Sequence, residues 1–170
     1  MKQLEEWSEL KCSDIVFDSN VDKWNVNTSK FNERIIGKKQ LVFLIEDEDG
    51  EKFGYYLNTK VVTRYNRLIR TNNKSFEFNL QSNGRIQQPM KFEIKNIYGG
   101  YYLREKSHER LIRLGDIVLY KENNKNESYC QQNEDDFDYH GIKKALCGKV
   151  PNKWGQMYFN PKRILVIQMK

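Results

Sequence analysis

No apolar run in this sequence approaches the ~20 residues that a membrane-crossing helix needs, so membrane insertion is not expected. Cysteine is scarce as well. Cys12, Cys130 and Cys147 form an odd, widely spaced set, whereas a secreted disulfide scaffold carries a denser, even one. Reduced thiols in the cytoplasm or the nucleus are the expectation. The opening MKQLEEWSEL agrees, because it sets acidic residues where a secretory signal needs an apolar run. Only 3 prolines interrupt the 170 residues. Motifs for phosphate cradles and activated serines are missing too, with no G-x-S-x-G, Walker loop or G-x-G-x-x-G. These absences argue against an enzyme, and no cofactor is expected.

What is present argues for a folded chain. Apolar residues make up 38% and charged residues 31%, yet 9 Phe, 10 Tyr and 3 Trp are too many aromatics for a disordered segment. A chain of this length fits one domain over residues 1–170 and buries roughly 70% of its unfolded surface. The net charge is +6, unevenly spread. Lys60 to Arg113 holds 12 basic and 4 acidic side chains, a net +8, and the rest of the chain sums to −2. Such asymmetry marks either a surface for polyanions or a merely solvated face.

Local patterns place the elements. Leu4, Trp7 and Leu10 share a stripe, which predicts a helix within residues 1–11. Asp14 to Asp18 reads as a strand. N-cap candidates over Asn25–Ser29, helical spacing of Phe31, Ile35 and Ile36, and Gly37 as the stop predict a helix over 28–36. Leu41-Val42-Phe43-Leu44-Ile45 is a run for a strand buried on both faces. Asp49-Gly50 is a hairpin dipeptide, and Lys52 to Leu57 is the return strand. Ser75 to Leu80 alternates and reads as a half-buried strand, with Ser82-Asn83-Gly84 as its turn. Met90 to Lys95 alternates again. Asp116 to Tyr120 and Arg163 to Met169 are further strands, and the polar stretch 121–138 reads as a long loop. The fold class is α+β, mostly β: a two-layer antiparallel β-sandwich over residues 12–170 with a few flanking helices.

Several constellations invite chemistry. The acidic turn Glu46–Glu51 lacks EF-hand spacing, and its flanks are strands, so it reads as a hairpin turn. Cys130, His140 and Cys147 match no zinc knuckle, and no metal site is expected. A thiol nucleophile, Cys130 or Cys147 with His140 or His108, is an enzyme alternative, against the default of buried structural thiols. The basic, tyrosine-rich middle is the strongest feature. Arg64, Arg67 and Arg70 have three-residue spacing and would share one face of a helix, with Tyr65 beside them. Tyr98, Tyr101 and Tyr102 precede Arg104 and Lys106, and Lys74, Arg110 and Arg113 extend the charge. Arginine and lysine neutralise phosphates, and tyrosines stack on bases. Gly99-Gly100 reads as a tight bend or bulge.

The order of segments resembles the TLDc domain family of oxidation-resistance proteins. The likeness runs from Ile15-Val16-Phe17-Asp18-Ser19 and Ser29-Lys30-Phe31 to Arg163-Ile164-Leu165-Val166-Ile167. Leu41 to Tyr56 is similar to the family's apolar strand, D-x-D-G turn and F-G-x-Y/F return. Phe76 to Leu80, Lys91-Phe92 with Ile94, Leu114 to Leu119, and Ser128-Tyr129-Cys130 resemble its later segments. The resemblance implies a two-sheet sandwich without an established catalytic centre. It also implies a role in stress response through a protein partner, in several members the peripheral part of the vacuolar proton pump. Here the family's glycine-rich stretch is replaced by basic Arg104–Arg113. That departure leaves room for another ligand, DNA included, and for a regulator of transcription.

Overall fold

A computed structural model describes residues 1–96 and 98–170. Two antiparallel sheets dominate it. The first is six-stranded, in the order β1 (Cys12–Asp18), β11 (Pro161–Met169), β2 (Leu41–Asp47), β3 (Lys52–Leu57), β4 (Phe76–Gln81), β5 (Met90–Glu93). The second is five-stranded, in the order β10 (Met157–Tyr158), β9 (Tyr129–Cys130), β8 (Ile117–Tyr120), β7 (Arg110–Leu114), β6 (Tyr101–Leu103). The mostly-β, two-sheet architecture expected from the sequence is present.

The β2–β3 hairpin is the centre of the larger sheet. Leu41 pairs with Leu57 and Glu46 with Lys52, across a turn in which the Asp47 carboxylate accepts the Asp49 and Glu51 N–H groups. Its side chains alternate between two apolar layers. Leu41, Phe43, Ile45, Phe53, Tyr55 and Leu57 face the core shared with Leu103, Ile112, Leu114, Ile117 and Leu119 of the second sheet. Val42 and Tyr56 face outward, where α1 (Lys2–Ser8) covers them with Leu4, Trp7 and nearby Leu10. That second cover is why the run is apolar throughout. Gly54 sits opposite Leu44, and a Cβ there would lie 1.9 Å from the Phe43 carbonyl oxygen, so no side chain fits.

Three expectations need correction, and the conditional helical reading of Arg64, Arg67 and Arg70 is decided. The helix over 28–36 shortens to α2 (Phe31–Ile35), because Asn27 is left-handed and the Ser29 hydroxyl accepts the Phe31 N–H. No helix forms over 63–70. Asn66 has φ 57°, and Tyr65 and Ile69 instead bridge to Leu103 and Tyr101 beside β6. Residues 121–138 are not one polar loop. Two kinked 3₁₀ turns (Glu122–Glu127), strand β9 and buried Phe137 lie within them. Strand β4 is not half-buried, because its polar residues Glu77 and Asn79 face the interior and its Phe76 and Phe78 pack under α1.

Glu77 and Asn79 tolerate burial because each has partners. The Asn79 amide donates to the Leu146 carbonyl at 2.7 Å. Glu77 accepts the Asp116 N–H at 2.7 Å and the Tyr139 hydroxyl at 2.6 Å, and that hydroxyl also lies 2.6 Å from an Asp116 oxygen. One hydroxyl proton cannot serve two carboxylates, so the second contact needs a proton on a carboxyl oxygen. Burial supplies it: desolvation pushes Glu77 well above the usual carboxylate range, helped by the neighbouring Asp116 charge, and pushes Asp116 up too. The folded chain therefore holds more protons here than the unfolded chain does. Its stability falls as pH rises from the ordinary carboxylate range toward the folded values. Thermal melts of the wild type from pH 5 to 8 should show a falling Tm, and Glu77→Gln should flatten that fall. An unchanged slope would mean that this cluster does not titrate as a buried pair.

Candidate nucleic-acid interface

The second sheet turns one face to the core; on its other face Val118 and Tyr129 are buried at the centre, Tyr102 and Arg113 are half-buried, and Tyr158 is exposed. Cross-strand register lines up Tyr102, Arg113, Val118, Tyr129 and Tyr158 in one row on that outer face. Five strands at the usual spacing make the row about 19 Å long. Arg110 pairs with Tyr120 in a second row. Strict alternation would put Arg110 and Arg113 on opposite faces. A bulge prevents this: the β7–β8 register slips between Arg110 and Ile112, and both Leu111 and Ile112 are buried. The extra residue returns both arginines to the outer face.

Tyrosine rings hold the guanidinium groups in place. Arg104 lies 5.4 Å and Arg113 5.6 Å from the centre of the Tyr102 ring. Arg110 lies 5.4 Å from the Tyr120 ring and donates from Nε to its hydroxyl at 3.0 Å. Such contacts add about 0.5–1 kcal/mol each at exposed sites. Among the described residues, none of Arg104, Arg110 and Arg113 forms an ion pair with a carboxylate. Glu109 acts on Arg110 only through space. Among the described residues, the buried Nε of Arg104 has no hydrogen-bond partner. Burial lowers the pKa of Arg104, and repulsion from Arg110 and Arg113 lowers it further. His108 is lowered by burial and then by Arg104 and Arg110. The three guanidinium groups thus lie together without a paired carboxylate, although Arg113 acts through space on the buried Glu77 and Asp116 and its Nε donates to the Gly115 carbonyl at 2.9 Å.

Lys121 braces the loop that links these arginines. It is buried, and its ammonium donates to the carbonyls of Glu105 at 2.9 Å, Lys106 at 2.8 Å, and His108. Burial lowers its pKa to about 8. Nothing in the sequence separates this lysine from its solvated neighbours, because its role depends on a loop 13 to 16 residues away.

The other expected site residues divide. Arg64 and Arg67 are exposed on the segment that runs beside β6, and Arg70 lies 5.5 Å from the Tyr98 ring. Lys106 pairs with Glu33 at 3.5 Å and, with Tyr65, lines a separate pocket. Lys74 belongs elsewhere, in a groove with Trp7 and Phe76 on the α1 side. Tyr101 is a correction: it is fully buried, its hydroxyl donates to the Lys60 carbonyl and accepts the Val62 N–H, and it offers no ring for stacking. Its neighbour Tyr102 has the outward face instead. Tyr120 and Tyr158 were not anticipated, although alternation along Ile117–Tyr120 contains the signal for the first.

The thiols are placed differently. Cys130 and Cys147 are buried, and desolvation, then Cys147 itself, pushes the Cys130 thiol well up. His140 sits on the surface beside Glu93 and Asp138, and His108 Nδ1 accepts the Arg110 N–H. Among the described residues, neither histidine is hydrogen-bonded to sulfur. Among the described residues, no group of three or more His, Cys, Asp or Glu side chains is arranged to hold a metal ion, and no helix is long and apolar enough to cross a membrane.

Lys121→Met keeps much of the side chain's bulk and removes three N–H donors. It should lower stability by about 1–3 kcal/mol in urea denaturation and speed amide exchange over residues 105–109. Normal protection there would show that the loop is held by other contacts. Comparison with known proteins gave no match, either to a family model or to a curated sequence, so the reading of function rests on the geometry of this sheet face.

Proposed function

We propose that this chain is a noncatalytic binding protein that takes single-stranded nucleic acid on the outer face of its five-stranded sheet. One observation carries the reading. Arg104, Arg110 and Arg113 are gathered and oriented on tyrosine rings with no carboxylate paired to them, and the buried Arg104 Nε has no hydrogen-bond partner among the described residues. An external anion would give these guanidinium groups the charge-assisted partner that no carboxylate of the chain supplies. A phosphate backbone supplies a row of anions at regular spacing. Aromatic rings at the margins favour a single strand, whose bases are free to stack. Tyr98 is 56% and Tyr158 43% exposed, and Arg64, Arg67 and Arg70 add positive charge along the β6 edge.

Fluorescence anisotropy with a pool of random single-stranded 12-mers tests this. Affinity should fall steeply between about 50 and 200 mM salt. Replacing Arg104, Arg110 and Arg113 together with Ala should reduce the slope of log K against log salt by about 2, at roughly 0.7 per lost contact on a single strand. A duplex of matched sequence should bind more weakly. No binding at 50 mM salt, or an unchanged slope in the triple variant, defeats the reading.

A second reading has an observation of its own. Trp154 is 70% and Val150 80% exposed on one connection, and Asn152 fixes its turn by accepting the Trp154 and Gln156 N–H groups. An indole held in solvent by a rigid turn suits a protein partner, which is what the TLDc resemblance implies for a stress-response role. Trp154→Ser should then abolish a defined complex in pull-downs without changing nucleic-acid affinity. Retention of the complex counts against this surface.

A further inference from the structure

Beside the arginine cluster lies a pocket of about 340 Å³ between α2, the Tyr65 segment and the loop after β6. Two hydrogen bonds join it to the proposed nucleic-acid face. The Asn32 amide donates to the Arg104 carbonyl at 2.9 Å, and Arg104 Nη1 donates to the side chain of Asn66, next to Tyr65, at 3.2 Å. A chain lying on Arg104 therefore passes the pocket mouth.

The lining has a definite chemistry. Ile36 and Tyr65 offer apolar surface, and both pack partly against the core. Asn32 uses its amide N–H on Arg104, which leaves its carbonyl oxygen as an acceptor. Glu33 adds two acceptor oxygens. They pair with Lys30 at 3.0 Å and Lys106 at 3.5 Å, and the glutamate side chain is 55% exposed. Exposed pairs of this kind contribute little and exchange readily. Lys106 stands at the rim as a cation. The pocket thus combines a flat-ring contact, acceptor oxygens on Asn32 and Glu33, the Ser29 side chain, and two cations, Lys106 and the buried Lys121, in its lining. Its volume lies in the range of small-molecule sites.

We infer that this pocket takes one base of the bound strand, a base carrying an exocyclic amine, with the adjoining phosphate on Lys106. Adenine, cytosine and guanine offer exocyclic N–H donors to the Asn32 and Glu33 oxygens, as amide and carboxylate side chains accept such groups elsewhere. Uracil offers one N3–H flanked by two carbonyl oxygens, which face the acceptors, and is disfavoured. The inference rests on the strand-binding reading above and adds base preference to it.

The test uses the full chain and two sets of probes. Calorimetric titration with AMP, UMP and inorganic phosphate measures the pocket, and anisotropy with oligo(A) and oligo(U) 12-mers measures the strand. AMP should bind about ten-fold more tightly than UMP, within the range of base discrimination by a good side-chain contact, and phosphate alone more weakly than either. Glu33→Gln replaces one acceptor by a donor on an exposed side chain, so folding is not at risk, and it should remove most of the preference. Tyr65→Ala should weaken both nucleotides, and Ile36→Trp should fill the pocket. Equal affinity for AMP, UMP and phosphate overturns the inference. If both 12-mers bind with the expected salt slope but equally well, the arginine face stands and the base pocket falls. If AMP binds selectively while neither 12-mer binds, the strand reading falls, and with it the assignment of this pocket to a strand's base.

Discussion

One tyrosine hydroxyl, shared between two buried carboxyls, connects the parts of this molecule. Glu77 belongs to the first sheet, Asp116 to the turn that opens β8 in the second, and Tyr139 to the connection that follows β9. Asp116 also accepts the Asn133 N–H at 2.6 Å, and its carbonyl accepts that of Gln131. The turn at Gly115 (φ 53°) is thereby fixed against Glu77 and the Phe137 ring, where a Cβ would lie 2.5 Å from a Glu77 oxygen. A buried network of this kind is costly to leave half-satisfied. It therefore sets one register for β7 and β8, and the placement of the surface arginines follows from that register.

The arginine face is organised by the chain's own contacts. Long cationic side chains ordinarily lose much rotamer freedom when they bind. Here Tyr102 and Tyr120 have already restricted three of them, and the β7 bulge has already set their direction. Guanidinium groups suit this arrangement better than ammonium groups, since they stack on rings and still present a planar fork of donors. The loop braced by Lys121 joins that face to the pocket lined by Asn32 and Glu33. The charge cluster and the cavity are thus two sides of one loop.

Legibility in the sequence followed the range of the interactions. The β2–β3 hairpin was readable because its apolar run and its Asp49-Gly50 turn are local signals, and the closing strand was readable for the same reason. Strand β4 showed its alternation but not its direction. Which set faces the second sheet depends on partners 39 to 67 residues away. The bulge hid β7, because two adjacent buried residues break the period of two. Three-residue spacing of Arg64, Arg67 and Arg70 imitated a helix, and pairing to β6 overrode it. Arg104, Arg110 and Arg113 were named from charge alone. Their meeting on one face, and the pocket residues Asn32 and Glu33, depend on contacts that no local pattern encodes.

The segment beside β6 has one more consequence. At Gly100 the Ile69 carbonyl oxygen comes within 2.0 Å of where a Cβ would stand, and Ile69 and Tyr101 exchange backbone hydrogen bonds. Main chain, not side chain, therefore closes this border of the sheet against pairing with another molecule. The exposed positions 64, 67 and 70 are released from guarding it. A change in their charge or size leaves the main-chain pairing along that border in place.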